Sequence, residues 1–231
     1  IKNKTSNLET YSNFYINLQE YEEIIQKQYL DLQYIPEKTR TFNTIKSYGY
    51  IMKDFYYIHT SEEFNKLINY SFEFNGYINN IIGINHNIQN NYINKTNYTN
   101  KNKTNFEEIY HPSISNDCIK NNIKLDKSII LTGPNAAGKT TLLKSTIINL
   151  VFSQQIGFGY YKKATINPFT YIHCYINIPD SCSRDSLFQS EVRRCKEILD
   201  LINLYPNERH FCVFDELYSG TNPYEAIATA Y

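Results

Sequence analysis

The stretch 128-SIILTGPNAAGKTTLL-143 decides how this chain is read. Ser128 to Leu131 is a short apolar run with the character of a buried strand, and Thr141 to Leu150 continues with that of a helix. Between them, Gly133 to Thr140 fits G-x-x-x-x-G-K-[ST]. Strand, glycine loop and helix in that order point to phosphate binding. Gly133 and Gly138 allow the backbone to curl so that several N–H groups aim at phosphate oxygens, and the positive end of the following helix faces the same anion. The expected nucleotide cradle is therefore Gly133, Pro134, Asn135, Ala136, Ala137, Gly138, Lys139, Thr140 and Thr141. Lys139 brings a point charge to the β- and γ-phosphates, and the Thr140 hydroxyl is a hard oxygen ligand for Mg²⁺.

A second stretch, 210-HFCVFDELYSGTNPYEA-226, strengthens this expectation. Phe211 to Phe214 is another apolar run and ends in Asp215-Glu216. Downstream of a phosphate loop, an Asp at a strand end serves the Mg²⁺ shell, and an adjacent Glu orients or deprotonates water. Asp215 is thus the second expected metal ligand, and Glu216 joins Lys139 as an expected catalytic residue. A third stretch, 180-DSCSRDSLFQSEVRRCKEILDLIN-203, carries an apolar stripe of Phe188, Val192, Cys195, Leu199 and Ile202. Ser186 and Gln189 have capping-box spacing at its start. A capped helix start also suits an anion, so Ser186 is a candidate phosphate contact as well as an ordinary cap.

Composition narrows the alternatives. The 231 residues suit one large or two modest domains, and 42% hydrophobic with 15% aromatic content suffices for a core. The 23 basic and 23 acidic residues cancel, so the whole chain has no electrostatic signature of nucleic-acid binding. Cys118, Cys174, Cys182, Cys195 and Cys212 form no C-x-x-C pair, which favours a reducing, intracellular compartment over a disulfide framework or zinc site. The five His show no metal spacing, and no apolar run reaches membrane-spanning length. Heavy use of Asn, Ile, Lys and Tyr follows AT-rich codons, so triplets such as Asn94-Lys95-Thr96 read as coincidence and not as glycosylation sites. The chain opens at Ile1 without Met and stops at Tyr231 inside a helical pattern, as a fragment would. Poor turnover and exposed apolar sheet edges are then expected.

Residues 1–105 carry mostly helical signals. Leu18, Tyr21, Ile25, Gln28 and Leu32 recur at helical spacing up to Pro36, and Phe42, Ile45, Met52 and Phe55 suggest a second helix. Thr60 and Glu63 have capping-box spacing before a third, and Ile78, Ile82, Asn85 and Ile88 follow Gly76. From Asn94 to Asn105 the chain is almost wholly polar and reads as a linker, with a domain boundary at its far end. Residues 154–169 read as a turn-rich passage with Lys162-Lys163 on the surface, and Tyr171 to Ile178 as a strand. Asn222-Pro223 opens a last helix with Glu225 in its first turn.

Together, the segments from 106 to 231 resemble the MutS family of DNA-repair ATPases, within the ABC-type class. TGPNAAGKTTLL is similar to that family's nucleotide loop, and Gln155 to Gly157 matches the turn after the loop's helix. Ser186 to Glu191 resembles the signature S-T-F-x-x-E, and DELYSGTNPYEA resembles D-E-x-x-x-G-T, with Ser219 to Thr221 in the loop that crosses the dimer. His111-Pro112 matches the dipeptide that often opens the ATPase domain. The resemblance implies an α/β fold, a mostly parallel P-loop sheet flanked by helices (106–231), after a helical core or lever domain (1–105). It implies Mg²⁺-dependent ATP hydrolysis by the motor portion of a mismatch-repair or recombination protein. That protein would work as a homo- or heterodimer on double-stranded DNA held largely by parts outside this chain, with no membrane partner. Ser186 would reach the phosphate of a facing subunit. Leu187 departs from the signature Thr, and no segment resembles the mismatch-reading wedge, so mismatch recognition is not implied. Another ABC-type ATPase of the SMC or transporter kind would need an L-S-G-G-Q signature, which is lacking; a non-hydrolysing nucleotide-gated DNA clamp or scaffold is the rival from a different class.

Overall fold

The structure is a computed structural model that describes residues 12–40, 44–114, 118–176 and 186–231. Phe42, Cys182 and the start of the third informative stretch lie outside the described residues. The chain divides into two compact units at Ile84/Asn85, earlier than the polar stretch suggested. The first unit contains helices α1 (Ser12–Arg40) and α2 (Thr44–Thr60) and most of α3 (Glu62–Gln89). Helix α1 runs through Pro36, at the expense of one backbone hydrogen bond near its end. The cap before α3 is Ser61, whose Oγ accepts from the Phe64 N–H at 3.2 Å. Thr60 instead donates to the Tyr56 carbonyl inside α2. Leu67 is the buried residue of α3, and Tyr21 stacks on Tyr70 with ring centres 3.7 Å apart.

The second unit holds strands β1 (Asn94–Tyr98), β2 (Asn105–Ile109) and β3 (Asn121–Lys124), then helix α4 (Lys139–Ile156). After these come β4 (Phe158–Gly159), β5 (Lys163–Ile166), β6 (Tyr171–Tyr175), helix α5 (Leu187–Leu204), β7 (His210–Phe214) and helix α6 (Pro223–Ala230). Five strands form a sheet in the order β3-β2-β5-β1-β4, in which only β1 and β5 run parallel. A mostly parallel sheet is therefore not what forms among the described residues; the architecture is mixed α/β, and their other parallel pairing is between β6 and β7. The polar stretch 94–105 is no linker, because it supplies β1 and the first residue of β2. Thr96 is the buried residue of β1 and shares a hydrogen bond with the Tyr161 hydroxyl at 2.6 Å. Asn94 spends its side-chain amide on the Tyr161 carbonyl at 2.8 Å. The passage after α4 likewise forms β4 and β5. Lys162 and Lys163 pair there with Glu108 and Glu107 of β2.

Phe106, Ile109, Leu150, Tyr161, Ala164 and Ile166 form the buried core, with Phe169, Ile172 and Phe211 packed against it. Helix α4 meets this core through polar side chains. Ser145, Thr146, Asn149 and Ser153 are buried along with Leu150. Asn149 Oδ1 accepts from the Tyr160 N–H at 2.6 Å, while its Nδ2 donates to the carbonyls of Tyr110 at 3.0 Å and Ser145 at 2.9 Å. The helix ends on Gly157 at φ 76, the left-handed cap that glycine accepts without strain. On β6 and β7, His173 Nε2 lies 3.0 Å from His210 Nδ1, and His210 Nε2 lies 2.9 Å from the Tyr205 carbonyl.

Two outcomes are expected. Asn149→Ala leaves the Tyr160 N–H and the Tyr110 carbonyl without their partner, and urea unfolding should show a loss of about 2–4 kcal/mol. Burial holds His173 below the ordinary histidine value, helped by His210 and then Arg194. A depressed value means that the folded state resists the proton. Stability is complete above pH of about 6.5 and falls as pH drops through that value toward the folded one. Melting temperatures between pH 7.5 and 5.5 should therefore decline less steeply in His173→Phe than in the parent chain.

Candidate nucleotide site

The apolar run Ser128 to Leu131 pairs with no described strand, so the expected buried strand does not form. Ile129 is 47% exposed and Ile130 89%. Hydrophobicity prepares a run for pairing, but a strand needs a neighbour's N–H and C=O groups. Among the described strands β7 pairs with β6 alone. Ile129, Leu131, Leu142 and Leu143 line an open cleft of about 760 Å³ together with Phe211 and Val213 of β7.

The loop itself is curled, at Gly138 as the sequence suggests but at Ala136 and not at Gly133. Ala136 at φ 60 and Gly138 at φ 85 are both left-handed, and Gly138 caps α4. Alternation of this kind turns successive N–H groups toward a common point. The Lys139 ammonium donates to the carbonyls of Gly133 at 3.0 Å and Pro134 at 2.9 Å, which holds it within the curl. Thr140, in the first turn of α4, donates from Oγ1 to Asp215 Oδ2 at 2.7 Å. Asp215 is held at the end of β7, where its N–H donates to the Tyr175 carbonyl of β6 at 2.9 Å. The structure thus joins residues 75 positions apart into one pair of hard oxygens. Glu216 follows, exposed and left-handed at φ 49, which a non-glycine residue adopts only at a cost.

Ser186 caps α5 as the spacing suggests. Its Oγ accepts from the Gln189 N–H at 3.3 Å, and Gln189 Oε1 accepts from the Ser186 N–H at 3.1 Å. Behind the cap, Phe188, Val192, Cys195 and Ile202 of the expected stripe are half-buried, but Leu199 is 53% exposed, and the fully buried positions are Glu191 and Ile198. Glu191 was legible only as the last letter of the signature-like segment. Its carboxylate in fact accepts from the Ser219 N–H, the Ser219 hydroxyl and the Gly220 N–H. Tyr218 is left-handed at φ 56 and buried between α5 and Tyr175, and burial raises its phenol above the usual tyrosine range. Asn222 caps α6 by accepting from the Tyr224 and Glu225 N–H groups. Among the described residues, no group of three or more His, Cys, Asp or Glu side chains is arranged to hold a metal, and no helix is long and apolar enough to cross a membrane.

Over its second half the chain is similar to known proteins. Residues 129–231 match the family model of MutS domain V. The chain is 32% identical over 130 residues to the DNA mismatch repair protein MutS of Persephonella marina, covering 53% of this chain and 14% of that protein. It is 30% identical over 136 residues to Endonuclease MutS2 of Leuconostoc citreum, covering 56% of this chain and 16% of that protein. With the DNA mismatch repair protein MutS of Staphylococcus aureus (strain JH9) it shares 31% identity over 150 residues, covering 59% and 17% respectively. The match therefore spans only a small part of each relative's length.

The capping box gives Ser186 a structural role of its own. Ser186→Ala should lower stability by about 1 kcal/mol in urea titrations, by the same amount with and without nucleotide, if capping is all that Ser186 does.

Proposed function

We propose that this chain, similar to MutS proteins over residues 129–231, is a MutS-family chain whose second unit binds ATP with Mg²⁺ and hydrolyses it, as the motor portion of a MutS-like DNA-repair protein. The observation that carries this reading is the 2.7 Å contact between Thr140 and Asp215, which unites the phosphate loop with the acidic end of β7. A hydroxyl and a carboxylate at this separation are hard donors suited to Mg²⁺, which neutralises phosphate charge when bound. Thr140 and Asp215 hold the ion. The N–H groups of residues 133–141 cradle the phosphates, and Lys139 exchanges the carbonyls of Gly133 and Pro134 for phosphate oxygens of higher charge. Glu216, exposed beside Asp215, orients the attacking water.

Ser186 serves the nucleotide of a facing chain. It is exposed at a helix start whose first N–H groups and partial positive charge favour a phosphate. ATP then promotes dimer closure better than ADP, because only ATP presents a γ-phosphate. Double-stranded DNA is engaged by the whole protein, in an intracellular compartment.

Lys139→Ala should weaken ATP binding at least about tenfold by calorimetry, the loss expected when a charge-assisted contact disappears. The melting temperature of the same variant reports the separate loss of its two bonds to the loop. Unchanged ATP affinity would overturn the nucleotide site.

A further inference from the structure

Glu191 is the point at which two stretches of the chain meet. It stands early in α5 and is 3% exposed. Its Oε1 accepts from the Ser219 N–H at 3.1 Å and the Ser219 hydroxyl at 2.8 Å, and its Oε2 accepts from the Gly220 N–H at 3.1 Å. A carboxylate this deeply buried is tolerable when donors meet its oxygens, and such charge-assisted bonds exceed neutral ones in strength. Two further contacts join the same stretches. A methyl group on Gly220 would lie 2.9 Å from Leu187 Cγ and 2.9 Å from the Phe188 backbone nitrogen, so the loop backbone lies directly on the first turn of α5. Tyr218 meets the Phe188 ring edge-on with centres 6.0 Å apart, and its N–H donates to the Tyr175 hydroxyl at 3.3 Å.

We propose that Glu191 is a positioning residue that locks loop 218–220 to the first turn of α5, so that Ser186 and this loop move as one rigid piece. The inference rests on the reading of Ser186 as a contact to a facing nucleotide, and it adds how that contact is communicated. The loop leaves β7 immediately after Asp215 and Glu216. Displacement of Ser186 therefore passes through Glu191 to the end of β7 that holds Asp215 against Thr140. Each chain's metal-side oxygens thereby sense whether its α5 has engaged a partner.

Hydrogen–deuterium exchange on the 231-residue chain separates a clamp from ordinary packing. Glu191→Gln keeps the shape but removes the charge and turns an amide toward the donors. The bonded amides of 218–220 and those of Gln189 and Ser190 should lose protection together, by about tenfold. Calorimetric ATP affinity should stay at the parent value while ATP-driven association weakens by about the same factor. Gly220→Ala pushes on α5 from the loop side and should also release Gln189 and Ser190, which keeps the test decisive if Glu191→Gln folds poorly. Faster exchange in the loop with parent rates at Gln189 and Ser190 would overturn the clamp, and so would unchanged exchange in both. If the parent chain does not associate with ATP, the reading of Ser186 falls, while the exchange result still decides the role of Glu191.

Discussion

Helix α4 is fixed by hydrogen bonds more than by grease. Its inner face presents Ser145, Thr146, Asn149 and Ser153 around the single buried Leu150. An apolar stripe tolerates a small rotation or slide, since dispersion forces are non-directional. Asn149 does not tolerate one, because its amide must meet the Tyr160 N–H and the Tyr110 carbonyl at once. Lys139 and Thr140 stand ten and nine residues earlier on the same helix, about 14–15 Å along its axis. The phosphate loop thus inherits its position from a buried amide remote from any phosphate. Asp215 approaches from the other direction, fixed by the parallel pairing of β6 and β7. The meeting of Thr140 with Asp215 depends on both anchors.

The parts of the fold legible in the sequence were those written in local chemistry. Ser186 with Gln189, Asn222 before Pro223, and the glycines at 138 and 157 each act on their own backbone neighbourhood. The structure finds them capping or turning where the pattern suggests. The five-stranded sheet was not legible, for a physical reason. β1 reads NKTNY and buries only Thr96, so it has neither an apolar run nor alternation. What makes it a strand is distant: β5 on one side, β4 on the other, and a Tyr161 hydroxyl to satisfy Thr96. The opposite error occurred at Ser128 to Leu131, where apolar composition was ample and a partner strand was not.

The site was legible to the same extent. Lys139, Thr140, Asp215, Glu216 and Ser186 announce themselves by type and spacing. The roles proposed for them rest on the similarity to MutS proteins together with the geometry around Thr140 and Asp215. Glu191 shows what pattern alone omits. A glutamate on an amphipathic helix normally faces water, and nothing local marks this one as the acceptor for a loop 28 residues away. Its significance comes from the donors of Ser219 and Gly220, which only the tertiary fold brings within reach.

The paired histidines of β6 and β7 carry a consequence for where protons reside. The Tyr205 carbonyl can only accept, so His210 must donate to it from Nε2. In neutral His210 the Nδ1 then bears a lone pair, and His173 must supply the hydrogen from its own Nε2. Both rings are thereby set as the Nε2–H tautomer, with every N–H pointing along the sequence His173, His210, Tyr205. Two positive charges cannot share this arrangement, because two N–H groups would then face each other across 3.0 Å. The two strands are thus joined by a one-way relay of N–H groups laid across their backbone pairing.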